Sequence, residues 1–230
     1  MPPRRRRSAD ETRQLLLEAG TQLVLRSLEA EDAGTGGPLA HIRVQDVVRE
    51  ASHDQDSPVT TGALYNLWPS QRDYQVDLMF FILREGAYPS RVEMAALAGD
   101  LFARQLPSDE IGTRLTDESF RVDLESRLGR AAGAFTALAG VPEIRDALRA
   151  GHETLLATAR ELYGQLLDYS GVRVREPYTL DQLITVVAAL NDGMVHKHAV
   201  VPELFEVGDG QPSLISVAVA AVVQAFCEEA

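Results

Sequence analysis

A chain of 230 residues, 45 % of them hydrophobic, can bury one large helical core or a small domain beside a larger one, and disorder is not its default. Its formal net charge of −12 argues against nucleic-acid binding by the surface as a whole, because phosphate binding rests on Lys and Arg. The most apolar stretch, Leu214 to Phe226, carries Ser216 and Gln224 and falls short of the roughly 18 apolar residues of a membrane span, and one cysteine, Cys227, makes neither an internal disulfide nor a Cys-based zinc site.

In chain order, the first thirteen residues hold five arginines, Arg4, Arg5, Arg6, Arg7 and Arg13, against Asp10 and Glu11. A signal peptide would continue into an apolar region, whereas this segment turns acidic, so export is not expected and a cytoplasmic setting is. The arginine run by itself reads first as a solvated tail, and needs a neighbouring feature to mean anything more. Ser8-Ala-Asp-Glu11 fits a capping box opening a helix, with Leu16, Ala19, Leu23 and Leu28 behind it at roughly helical spacing to about Glu29. Gly34, Gly36, Gly37 and Pro38 then break the chain. Val44, Val47, Val48 and Ala51 share one side of a short helix, Ser52 to Pro58 is turn-like, and a short segment runs from Val59 to Tyr65. Ser70 is placed to cap a helix carrying Tyr74, Leu78, Phe81 and Ile82 and ending near Gly86.

Beyond that, helices are expected over about 90–105, 117–139, 142–170, 180–200 and 213–228. Pro142 suits a first helical turn, and Thr179-Leu-Asp-Gln182 is a second capping box. Strand-like alternation is scarce. The expected fold class is therefore all-α: an N-terminal three-helix, helix-turn-helix domain over residues 1–86, then a larger helical domain over 87–230.

Two short helices joined by a turn, after a longer one, suit a helix-turn-helix, whose second helix enters the major groove. Thr60, Thr61 and Asn66 offer short polar side chains to bases or phosphates. Gly62 and Ala63 permit close approach, and Tyr65 and Trp68 can reach a sugar-phosphate wall. An ordinary turn between packed helices is the other reading of the same residues.

The run Gly62-Ala-Leu-Tyr65-Asn-Leu-Trp68-Pro-Ser70-Gln-Arg-Asp-Tyr74 resembles the signature of the TetR family of transcriptional regulators. Arg43-Val-Gln-Asp-Val-Val-Arg-Glu-Ala51 resembles that family's second helix, and Thr12 to Ala19 its first. The likeness covers about residues 10–85. It departs from the pattern where the usual lysine is Gln71, with Arg72 beside it as a substitute, and where Arg43 replaces a threonine. Both loops around the second helix are longer than usual, and the second holds His53, Asp54 and Asp56.

The resemblance implies a homodimer on a near-palindromic operator, its two recognition helices one helical turn, roughly 34 Å, apart. Arg4 to Arg7 then lie where they can follow a minor groove or phosphates. Dimerisation is expected through helices 180–200 and 213–228, whose apolar residues (Leu183, Ile184 and Val187; Ile215, Val219 and Phe226) leave few polar faces; internal core is the alternative. An unidentified small-molecule effector is expected among Phe102, Phe120, Phe135, His152, Tyr163, Asn191, Met194 and His196, each of which is also a plausible core residue.

Catalysis is not expected, since no nucleophile elbow, phosphate loop or His-Glu-x-x-His pair occurs. His196 and His198 point apart on a helix, and no cofactor or metal is implied. The sequence thus favours a DNA-binding regulator, a repressor released by its effector. The alternative is a helical small-molecule binder or enzyme with a vestigial helix-turn-helix.

Overall fold

The computed structural model describes residues 7–28, 39, 41–53, 58–86, 91–208 and 210–230, apart from the side chains of residues 91–93. The fold is all-α. Two compact units divide the chain: Met1–Ala87 with Arg127–Arg149, and Tyr88–Ser126 with Ala150–Ala230.

In the first unit, α1 (Ala9–Ser27) starts at the expected capping box: Ser8 Oγ accepts from Glu11 N at 3.0 Å, and Glu11 Oε2 accepts from Ser8 N at 2.7 Å. α2 (Val44–Ser52), α3 (Thr61–Leu67) and α4 (Gln71–Gly86) follow. Their apolar positions meet in one core that gathers Leu16, Val24, Val47, Leu64, Leu78 and Ile82. Two polar ties fix the helices around it. The buried Tyr74 hydroxyl donates to Leu16 O at 2.8 Å, and Gln75 Nε2 donates to Leu39 O and Ile42 O, anchoring the approach to α2.

The sequence expectation of one helix over 117–139 is corrected here. α6 (Ser108–Glu125) starts nine residues earlier, after Pro107, with Asp109 and Glu110 favourably placed in its first turn. It closes at Ser126, whose extended backbone turns its N–H back onto Val122 O and Asp123 O. The chain resumes as α7 (Arg127–Gly133) and a single 3-10 turn, Thr136–Leu138, which return to the first unit. There Gly86 lets α4 and α7 approach: a Cβ at that position would stand 2.7 Å from Leu128 O.

The second unit contains α5 (Arg91–Ala103), α6, most of α8 (Pro142–Ser170), α9 (Leu180–His198) and α10 (Leu214–Phe226). One cluster joins Met94, Ala98, Leu101, Ile111 and Leu115; another surrounds Leu183 and Val187 with Tyr163, Val219, Val223 and Phe226. α9 opens on the expected capping box at Thr179. A small antiparallel ribbon, β1 (Val172–Val174) on β2 (Cys227–Glu229), was not expected from the sequence. Gly171, at φ +66°, turns the end of α8 into β1, and Arg175 Nη2 donates to Cys227 O at 2.6 Å, closing the end of α10.

Between α6 and α9, Asn191 Nδ2 donates to Asp123 Oδ2 at 2.6 Å. Burial, only partly offset by that hydrogen bond and reinforced by Asp192, lifts the Asp123 carboxyl from 3.8 to about 6. In that window the folded chain retains a proton that the unfolded chain releases. The contribution of Asp123 is thus most favourable below its ordinary 3.8 and declines as pH rises to about 6. Asp123→Asn removes this contribution, so the stability of the variant relative to the unaltered chain should increase as pH rises between those two values, read as the difference between their denaturation midpoints. Parallel profiles would contradict the assignment.

Candidate nucleic-acid interface

α3 is seven residues long, so its neighbours must hold it in place. Thr60 caps it, its Oγ1 accepting from Ala63 N at 3.2 Å. Leu64 is fully buried beneath it and Trp68, at its C-terminal end, is 5 % exposed. The opposite side carries Thr61, Gly62, Tyr65 and Asn66, all exposed, with Tyr65 at 49 %. Their i, i+1, i+4, i+5 spacing puts them on one face of the helix.

The turn between α2 and α3 is clasped by Ser52. Its Oγ accepts from Val59 N at 3.1 Å and donates to Val59 O at 3.2 Å, so one hydroxyl spans seven positions and joins the turn's two ends. Asp54 and Asp56 lie outside the described residues; His53 is exposed at the end of α2. Ser52→Ala removes both bonds and should cost about 1–2 kcal/mol in denaturant unfolding. A loss below ~0.3 kcal/mol would show that the clasp contributes nothing.

The local electrostatics depart from the chain's overall acidity. Three carboxylates on α2 and α4 are matched internally, Asp46 by Arg49, Glu50 by Arg26 at 2.5 Å, and Asp77 by Arg13 at 2.7 Å, whereas the exposed Asp73 beside Arg72 bonds, among the described residues, only to Ser70. The Arg26 guanidinium holds the Glu50 carboxyl below its ordinary range. By contrast, Arg43, at the start of α2, and Arg72, in the first turn of α4, are exposed and make no ion pair with any described residue.

Not every nominated residue belongs to this surface. Trp68 faces inward, its indole N–H donating to Asp77 Oδ2 at 2.8 Å and its ring edge-on to Tyr74 at 5.0 Å. Ala63 is half-buried, and the Thr60 hydroxyl is engaged as the cap. Arg7 is half-buried, while Arg4, Arg5 and Arg6 lie outside the described residues. Sequence reasoning passed over Ser52, Gln75 and Asp77, all of which set the position of the short helices. Only the polarity of Gln75 and Asp77 within a helix whose apolar positions pack inward could have drawn attention to them.

The residues nominated for an effector separate into several packings. Phe102 lies against Tyr169, ring centroids 5.1 Å apart, and Phe135 is buried in the core of the first unit. Phe120 stacks on Phe205 at 5.9 Å and meets His198 edge-on at 6.0 Å. His152 Nε2 is 3.2 Å from Thr185 Oγ1, and Tyr163 packs in the cluster around Leu183. Asn191 is bound to Asp123, Met194 is half-buried on α9, and His196 Nδ1 lies 2.8 Å from Asp192 O. Among the described residues, no three His, Cys, Asp or Glu side chains form a metal-binding group, and no helix is long and apolar enough to cross a membrane.

No family model and no curated protein matches the chain. Among solved structures it is similar to a candidate tetR family transcription regulator from Shewanella sp. PV-4, with 17 % sequence identity and a TM-score of 0.54. That match covers 97 % of this chain and 100 % of the other. At this identity the likeness establishes the shared all-α fold.

Proposed function

We propose that this chain is a DNA-binding transcriptional regulator that acts as a homodimer, with α3 as its recognition helix. The observation that carries this reading is the polarised α3: a buried side anchored by Leu64 and Trp68, and an exposed side bearing Thr61, Gly62, Tyr65 and Asn66. An exposed polar and aromatic face with a glycine near its centre suits close approach to base edges. Arg43 and Arg72 supply phosphate contacts, and the Arg4–Arg7 run adds cations ahead of α1. The pairing of Asp46, Glu50 and Asp77 with arginines reduces repulsion from those three carboxylates.

Dimerisation is supported by α9 and α10. On α10 the outward residues are Leu214, Val217, Ala220, Ala221, Gln224 and Ala225, with Val217 52 % exposed; on α9, Val186 and Ala189 face outward. A second copy covering this face would take these apolar side chains out of water. A small-molecule effector would then work as a releasing ligand of a repressor by binding more tightly to the dimer geometry that fits DNA poorly. We assign Phe120, stacked on Phe205, and the Asp123–Asn191 pair as the aromatic and polar groups of α6 and α9 that would meet such a ligand.

The test is fluorescence anisotropy with duplexes from the DNA flanking the gene, each measured against a shuffled duplex of equal composition. One native duplex should bind at least ~100-fold more tightly than its shuffled counterpart. Failure to bind every duplex at low salt would contradict this reading and favour a helical small-molecule binder.

A further inference from the structure

We propose that Asp77 is a positioning residue that sets the orientation of α3 by gripping its C-terminal end and α1 through one carboxylate. The inference rests on the reading of α3 as the recognition helix. Arg13, on α1, approaches Asp77 side-on: Nη2 donates to Oδ1 at 2.8 Å and to Oδ2 at 2.7 Å, and Nε donates to Oδ2 at 3.0 Å. Trp68 donates its indole N–H to the same Oδ2 at 2.8 Å. One side chain of α4 therefore joins the first helix, the end of the third and its own.

This grip matters because of the length of α3. A seven-residue helix has few points of attachment, and this one has Leu64 on its buried side and Trp68 just past its end. Leu64 fixes depth, since apolar contact is non-directional. Trp68 fixes direction, because a buried indole N–H left without an acceptor is costly and the acceptor's location dictates the ring's orientation. Tyr74 adds a second constraint, holding the indole edge-on at 5.0 Å while its own hydroxyl reaches Leu16 O. Arg13, paired with the half-buried Asp77, balances its charge at this junction. Misorienting Trp68 would tilt Thr61, Tyr65 and Asn66 relative to the groove.

The chain has one tryptophan, so its fluorescence reports on this junction directly. Three variants of the full-length protein separate positioning from stability. Asp77→Leu removes the bonds to both Arg13 and Trp68; its emission should shift, and DNA affinity should fall roughly tenfold or more, the equivalent of a lost charge-assisted hydrogen bond. Asp77→Asn retains an acceptor for Trp68, and should keep wild-type emission and most of the affinity even if its melting temperature drops. The double variant Trp68→Phe with Asp77→Leu removes donor and acceptor together, and should regain melting temperature without regaining affinity.

Wild-type affinity in Asp77→Leu, or affinity that returns with stability in the double variant, would overturn the positioning role. Wild-type protein that binds no duplex would instead overturn the reading of α3 itself, and this role with it. Asp77→Leu emission identical to wild type would also refute the grip, independently of DNA.

Discussion

Gly20→Ala is expected to destabilise the first unit by about 2–5 kcal/mol, the sum of overpacking and a displaced buried hydroxyl. A Cβ at Gly20 would stand 2.0 Å from Tyr74 Oη and 2.9 Å from Leu78 Cδ2. Neither neighbour yields easily. Leu78 is fully buried, and Tyr74 is pinned through its hydroxyl to Leu16 O, its phenol raised far above the ordinary range by burial and by the Asp77 charge. Gly164, on α8, meets nothing within 4 Å at the same construction, so Gly164→Ala serves as the opposite case. It should stabilise by up to ~1 kcal/mol through helix propensity. Denaturant unfolding of both variants checks the pair; a neutral Gly20→Ala would mean that α1 and α4 are not packed as described.

Tyr65→Ala should weaken binding to the preferred duplex by roughly tenfold or more while leaving the unfolding free energy within about 0.5 kcal/mol of wild type. The asymmetry follows from placement. Tyr65 is half exposed and joins none of the clusters that hold α3, so its removal costs the fold little. Leu64, its neighbour, is fully buried, and Leu64→Ala should do the reverse, with a stability loss of about 2–5 kcal/mol. Asn66→Ala should chiefly relax the preference at one base position, since a side-chain amide reads a base edge. Anisotropy and thermal unfolding on the three proteins separate these effects. Equal DNA affinity in Tyr65→Ala and wild type would remove α3 as the reader.

Much of the fold was legible in the sequence because its signals are local. Ser8 and Thr179 cap their helices as their capping boxes predict, Pro142 opens α8, and Val44, Val47 and Ala51 face the core as their spacing requires. Local signals also misled. A continuous apolar pattern hid the break at Ser126, which is made by backbone geometry rather than by a strong breaker residue. The β1–β2 ribbon joins segments more than fifty residues apart, and three-residue strands carry no readable alternation.

The candidate interface divides in the same way. Thr61, Tyr65 and Asn66 could be nominated from one short segment, but the inward turn of Trp68 depends on Asp77, and Asp77 on Arg13 sixty-four positions away. No spacing in a single sequence links those three residues. The effector nominations were the least legible, because an aromatic on an apolar helix reads identically whether it lines a site or fills a core. Phe135, buried in the first unit, shows the second outcome.

The central claim is that α3, with Arg43 and Arg72 on the flanking helices, docks on duplex DNA. Its most direct test is the salt dependence of affinity for the preferred duplex, compared between wild type and the Arg43→Ala, Arg72→Ala double variant. Each phosphate contact contributes about 0.9 to the slope of log affinity against log salt, so two contacts per subunit predict a slope shallower by roughly 3 to 4 in a dimer. Unchanged slopes, with both proteins folded, would contradict the account.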